Sequence, residues 1–267
     1  MAYGAEIWGW KERKEMEGVQ ERILKRTLGV DWCTPGYMIR EETQRSKVSL
    51  KAGRLAWGFE RRMLEGRGGE LARKCLEEII FREQRERPKS KWEEERKKFF
   101  EERGIEQTKL EEKRRRREMG FEEIEEADIR MQEKERWDKI LEARYNKWYK
   151  EIKEKGMPKY LEKGWKEERW KRVARFRMGN EINGAKYWES EEKRKCRICE
   201  WEQESWEHVW EGCGTSKERK EGWQEIVKVL QGEDGEGERW MKEMEKEKET
   251  GERQRRSERE GAAIPTE

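Results

Sequence analysis

Three of the chain's five cysteines and its single histidine stand close together, as Cys196-x2-Cys199-x8-His208-x4-Cys213. No other feature restricts the local fold so tightly. A two-residue gap lets one tight turn aim both sulfurs at a common centre. His208 and Cys213 then complete a tetrahedron of three thiolates and one imidazole nitrogen. That donor set suits Zn²⁺, and with all four positions filled by protein it describes a structural rather than a catalytic site. An odd cysteine count fits a disulfide framework poorly, so reduced thiols and an intracellular setting are expected.

Elsewhere the chain is short of the residues that build a large core. Leu, Ile, Val and Phe number 38 of 267, under the ~20% level associated with disorder, while 48% of residues are charged. Two features oppose disorder. The 65 basic and 62 acidic residues nearly cancel, so self-repulsion does not force expansion. Fifteen tryptophans also carry large apolar surfaces that water disfavours. The expected fold is mainly α, a set of small helical cores joined by charged helices. No apolar run approaches the ~20 residues of a membrane span, and no signal-peptide stretch opens the chain, so no membrane partner is expected.

Periodicity divides the chain into four parts. Residues 1–84 read as a small helical bundle. Its stripes are Met16, Val19, Ile23 and Leu28, then Ala52, Leu55, Ala56, Phe59 and Met63, then Ala72, Cys75, Leu76, Ile79 and Ile80, with Cys75 in the core. Residues 85–135 read as a charged helical linker, in which Lys113–Arg117 (KRRRR) is either a solvated face or a phosphate-contact patch. Residues 136–231 form a helical region around the Cys/His motif. One of its helices runs through Trp137, Ile140, Leu141, Trp148 and Ile152, with Tyr145 and Tyr149 at its edge. A second covers 165–178 and stops at Gly179-Asn180, and a third carries Trp223, Ile226, Val227 and Leu230. Residues 232–267 read as a mostly disordered tail with an anchor near Trp240.

Three thiolates and Zn²⁺ sum to a net charge of −1, which nearby cations would stabilise. Lys193, Arg194, Lys195 and Arg197 supply them and would continue into a phosphate-binding face. A second basic cluster holds Lys171, Arg172, Arg175 and Arg177. The candidate nucleic-acid contacts are therefore Arg172, Arg175, Arg177, Lys193, Lys195 and Arg197. Trp201, Trp206 and Trp210 could stack on bases or form the module's own core, and at least two of them are expected in the core. Only four aspartates occur, Asp31, Asp128, Asp138 and Asp234, with no adjacent pair to hold two Mg²⁺ ions. No phosphate-cradling glycine loop or nucleophile elbow is visible either. The chain is not expected to be an enzyme.

Two segments carry a family resemblance. YGAEIWGW (3–10) followed by VQERILKRTLGVDWCTPGYMIREE (19–42) resembles the segment after the palm in non-LTR (LINE-type) retrotransposon reverse transcriptases of arthropod genomes. RFRMGNE (175–181), the Tyr187-Trp188 pair and the Cys196–Cys213 motif resemble the C-terminal tail of the same proteins. The resemblance implies a thumb-like bundle and a zinc knuckle that bind RNA or DNA, single-stranded or structured. It also implies a truncated product, without the palm and its catalytic aspartates, in which Ile7, Trp8 and Trp10 would lose their normal cover. A helical protein-interaction or scaffold protein, and a relic product with no selected function, are the alternatives.

Overall fold

Apolar residues at three- and four-residue steps make the computed structural model of the chain mainly α. It describes residues 3–81, 89–116, 120–144, 146, 148–213, 223–231 and 236–262. In chain order the α-helices are α1 Ala5–Trp8, α2 Lys14–Leu28, α3 Gly36–Thr43, α4 Val48–Leu64, α5 Glu70–Phe81, α6 Lys91–Glu101 and α7 Gln107–Arg115. They continue with α8 Phe121–Leu141, α9 Tyr149–Ile152, α10 Lys159–Glu162, α11 Glu167–Arg177, α12 Trp223–Gln231 and α13 Glu236–Ala262. Among the described residues there is no strand, only one isolated antiparallel bridge between Lys195 and Gln203. None of the described helices is long and apolar enough to cross a membrane.

Two compact units result, one of Met1–Glu21 with Arg45–Trp137 and one of Arg22–Gln44 with Asp138–Glu267. In the first, Trp10, Trp57, Phe99, Phe100, Leu110, Phe121 and Ile124 form one core. Trp10 meets Phe99 edge-on at 5.0 Å and Phe100 at 5.1 Å. The expectation of a solvated linker over 85–135 is thus corrected, because α6 and α7 supply Phe99, Phe100 and Leu110 to that core. Two adjacent phenylalanines in a charged run make no periodic stripe, yet each buried ring contributes about 1.5–3 kcal/mol. A capping box between Ser90 and Glu93 starts α6 at the right place. The same packing covers Trp10, which is 2% exposed, while Ile7 stays 65% exposed.

Charged side chains complete this core. Arg96 makes two hydrogen bonds to Glu60, at 2.9 and 3.1 Å, and a third to Glu111 at 2.5 Å. Arg114 donates to the same Glu60 at 2.6 Å and lies 4.1 Å over the Trp57 ring. The KRRRR run is therefore not one exposed patch. Arg114 is inside, Arg116 pairs with Glu112, and Arg117 lies outside the described residues. Glu17 accepts from the backbone N–H of Val48 and Ser49, satisfying two donors at the start of α4. Cys75 is exposed, against expectation. The buried stripe of α5 is set by Leu76 and Ile80, and a residue one position from Leu76 turns about 100° away from it.

In the second unit α11 packs against α10, α12 and α13. Arg177 near its end is fully buried and donates to Glu42 at 2.5 Å, to Leu230 O at 3.1 Å and to Ile152 O at 3.4 Å. The hydroxyls of Tyr149 and Tyr160 donate to the two oxygens of Glu42, at 2.7 and 2.9 Å. Asn180 accepts from the Asp31 backbone N–H at 3.1 Å and donates to Thr34 Oγ1 at 3.1 Å. The helix expected to run from Trp137 to Ile152 is broken, since α8 ends at Leu141 and α9 begins at Tyr149; Tyr145 and the side chain of Trp223 lie outside the described residues. Where a mostly disordered tail was expected, Glu236–Ala262 is helical and buries Met241, Met244 and Lys248.

Burial alone would raise the Glu60 carboxyl, but the charges of Arg96 and Arg114 outweigh it and hold it below the usual range. Such a group stabilises above its unfolded value of about 4.3 and loses that contribution as pH falls through the lower folded value. Glu60→Gln is expected to destabilise the first unit by about 3 kcal/mol at neutral pH and to lessen its acid sensitivity. Urea unfolding of the whole chain across pH checks this, and equal acid sensitivity in both proteins would exclude Glu60 as a source.

Candidate metal centre

The backbone around the first two cysteines forms a tight hairpin. Cys196 N–H donates to Glu202 O at 2.8 Å and Glu204 N–H to Arg194 O at 2.9 Å, on either side of the Lys195–Gln203 bridge. Glu200 N–H donates to Cys196 O at 3.0 Å and closes the turn. Glu200 itself has φ 63°, the left-handed region that disfavours residues with a Cβ by about 1–2 kcal/mol. Ile198 N–H points at Cys196 Sγ, 3.4 Å away. The backbone N–H groups of Trp201 and Glu202 point at Cys199 in the same way.

The other two ligands come from the next turn. Ser205 starts it, accepting from His208 N–H at 3.1 Å through its hydroxyl. His208–Gly212 then winds as a π-helix, a widened turn that recurs at functional positions. It ends at Cys213, so the x4 spacing brings His208 and Cys213 round to the hairpin. Cys196 Sγ lies 3.5 Å from Cys213 Sγ, and Cys199 Sγ lies 3.1 Å from His208 Nε2. All four ligand atoms fall within 4.8 Å of one another. A tetrahedral centre with Zn–S bonds of about 2.3 Å needs sulfurs about 3.8 Å apart, so the cluster could hold a metal ion with little movement.

Electrostatics favour a cation there. Burial pushes the Cys196 and Cys213 thiols up, and the neighbouring sulfurs raise Cys213 further. Burial also acts upward on Cys199, but the N–H groups of Trp201 and Glu202 and the bond to His208 hold it below its ordinary value. Three packed thiols ionise together only around a divalent cation. With Nε2 facing the sulfurs, the proton belongs on His208 Nδ1, which lies 3.2 Å from Glu202 Oε2. Such an outer carboxylate fixes the tautomer and the ring orientation.

Around the centre, the three tryptophans divide as expected. Trp206 and Trp210 are each 4% exposed, whereas Trp201 is 89% exposed. Trp206, Trp210, Phe176 and Trp240 form an aromatic cluster with centroids 5.0–6.4 Å apart. Below it Glu204 is fully buried, taking two hydrogen bonds from the Arg197 guanidinium at 2.9 Å and an ion pair from Lys248 at 2.8 Å. Burial would raise its carboxyl, but the Arg197 hydrogen bonds and the Lys248 charge bring it down to about 2. Arg197 and Lys248 both donate to Glu181 O at 2.6 Å. Gly251 of α13 lies directly on this hairpin, and a Cβ there would sit 2.3 Å from Arg197 O.

The basic residues divide differently from expectation. Arg172 is held by Glu245 and Glu238, Arg175 by Glu181 and Glu245, Arg177 by Glu42 and Arg197 by Glu204. Each of these four is thus engaged in ion pairs within the chain, with Glu42, Glu238 and Glu245 brought in from far along the sequence and Glu181 and Glu204 from only six and seven residues away. Lys195 is solvent-exposed, and Lys193 is 70% exposed while bridging to Glu189 at 3.0 Å. Sequence reasoning missed Glu202, Glu204 and Lys248. Glu202 was within reach, as an acid inside the ligand loop; Lys248 carried no signal among so many lysines. Comparison with protein-family models, with curated proteins and with solved structures found no match.

Purified in reduced form, the chain is expected to carry one zinc, which a Cys196→Ser/Cys199→Ser variant should lack; elemental analysis reads this, and no metal in the parent protein would remove the assignment. Glu202→Gln should keep the stoichiometry and weaken zinc affinity about 10–100-fold, measured by chelator competition.

Proposed function

We propose that the chain is a non-catalytic nucleic-acid-binding protein, a counterpart of the C-terminal region of non-LTR retrotransposon reverse transcriptases, organised by a structural zinc. The observation that carries this reading is the surface of the Cys/His module. Trp201 stands almost fully exposed at its tip, and Lys193 and Lys195 turn toward solvent just before Cys196. An exposed ring beside cations on a rigid support is the arrangement that grips single strands, with bases stacking and cations meeting phosphates. The two segments that resemble the family also meet, through the Glu42–Arg177 and Asn180–Asp31 bonds, which supports reading them as parts of one inherited unit. RNA or DNA is the partner in this reading, and the reverse transcriptase palm would be a neighbour in longer relatives.

Fluorescence anisotropy of the zinc-loaded chain with a short single-stranded RNA, titrated across salt concentrations, tests the reading. Binding should be measurable at low salt and fall with a shallow slope, since few cations are free. Lys193→Glu/Lys195→Glu should weaken binding and reduce the slope by about 2, about 1 for each lysine. Trp201→Ala should cost about 1–3 kcal/mol of affinity. No binding at low salt would overturn the function, and unchanged affinity in all three variants would overturn the surface assigned to it.

A further inference from the structure

Beside the Cys/His module, the second unit contains two neighbouring cavities that share a wall. The first, of about 180 Å³, lies where residues 31–38 meet residues 178–188 and is bounded by Tyr37, Tyr187 and Trp188. The second, of about 250 Å³, is bounded by Trp148 and Trp206. Arg144, Asn146 and Gly179 line both. Each cavity therefore has aromatic residues in its wall, and Arg144 lines both.

Size and charge restrict the occupant. Sites for drug-sized ligands run to about 300–1,000 Å³, so the first cavity suits a single ring system. Tyr187 and Trp188 stand edge to face at 5.0 Å and remain 58% and 46% exposed, a platform open to a planar group from solvent. Burial pushes the Tyr37 phenol up, so it stays neutral and able to donate. Cations at this cavity are Arg144, which is exposed, and Lys186. The acid among its lining residues is Asp31, 3.9 Å from Lys186. Among the described residues Arg144 has no acidic partner. The second cavity adds Glu204, already neutralised by Arg197 and Lys248, and Glu207. The first cavity is thus the better place for an anionic ligand.

A flat ring, a cation beside it and an adjoining cavity across that cation match the repeat of a single strand: base, phosphate, base. We propose that the Tyr187–Trp188 cleft holds one nucleobase of a single-stranded nucleic acid, with the adjoining phosphate on Arg144 and the next nucleotide directed toward the second cavity. This deepens the nucleic-acid reading above and rests on it, but it assigns recognition to the Tyr187–Trp188 cleft rather than to Trp201 and the lysines before Cys196.

The test compares a short oligonucleotide with an abasic strand of equal length, against the zinc-loaded full chain, in an RNA arm (oligo(U)) and a DNA arm (oligo(dT)). The parent protein should bind the base-containing strand at least about tenfold more tightly than the abasic one. Tyr187→Ala/Trp188→Ala should lose most of that preference and leave abasic binding and zinc content unchanged. Arg144→Glu should weaken both strands and lower the salt slope by about 1. If the parent binds both strands equally, or the double variant keeps the preference or weakens both strands alike, the cleft assignment fails while the nucleic-acid reading stands. If the parent binds neither strand, both fail. A preference in one arm only identifies the strand as RNA or DNA.

Discussion

Three buried glutamates hold the structure together. Glu60 gathers Arg96 and Arg114, Glu42 gathers Arg177 and two tyrosine hydroxyls, and Glu204 gathers Arg197 and Lys248. A lone buried carboxylate is costly, and so is a lone buried guanidinium. Paired and fully hydrogen-bonded, they are tolerated, and removal of either member strands the other. This solves the problem set by a composition poor in aliphatic residues. The cations lie across aromatic rings, Arg114 at 4.1 Å from Trp57, Arg177 at 5.5 Å from Tyr160 and Lys248 at 5.8 Å from Phe176. Their heads and methylene stems fill space that leucine would otherwise occupy. Tryptophan and arginine together build cores that neither could build alone.

That solution also decides what was legible beforehand. The helical class followed from local periodicity, and the Cys/His cluster from ligand spacing within one short segment, so both could be read along the chain. The fate of Arg177 could not. Nothing near it in sequence differs from Arg175 or Arg172; its burial depends on Glu42, 135 residues away. Counting cations upstream of the motif therefore overestimated the exposed charge. The same long-range pairing took Arg114 out of the KRRRR run. Phe99 and Phe100 were hidden for a different reason, since a two-residue apolar step inside a charged stretch has no period to detect. Ser90 and Glu93, a capping signature in plain view, could have marked the start of that helix as structural.

The metal site is not an appendage of the second unit. Arg197 lies between Cys196 and Cys199, and it clamps Glu204, which lies between Cys199 and His208. Lys248 reaches the same carboxylate from α13, and Gly251, one turn further on, allows that helix to touch the hairpin backbone. The Cys196–Cys199 turn thus positions Arg197, Arg197 orders Glu204, and Glu204 gives the buried ammonium of Lys248 its counter-ion. Loss of the Glu204 carboxylate would strand the Lys248 ammonium and disfavour docking of α13. A metal ion held by this cluster would therefore be coupled to the packing of α13.

Neutralising cations internally has a consequence for how such a surface meets nucleic acid. Binding free energy from phosphates scales with the number of cations free to displace counterions, and here four of the six candidate contacts, Arg172, Arg175, Arg177 and Arg197, are already committed to carboxylates. Among the described residues Lys195 is exposed on the hairpin side, Lys193 is exposed while bridged to Glu189, and Arg144 is exposed at the cleft. Exposed aromatic surface is not scarce in the same way, with Trp201 at the hairpin tip and Tyr187 and Trp188 at the cleft. On the nucleic-acid reading proposed above, a protein built like this would gain little by electrostatic attraction to duplex backbone, where bases are stacked and out of reach. It would gain more from strands whose bases are already unpaired, because only there can exposed rings supply the contacts that the committed arginines cannot.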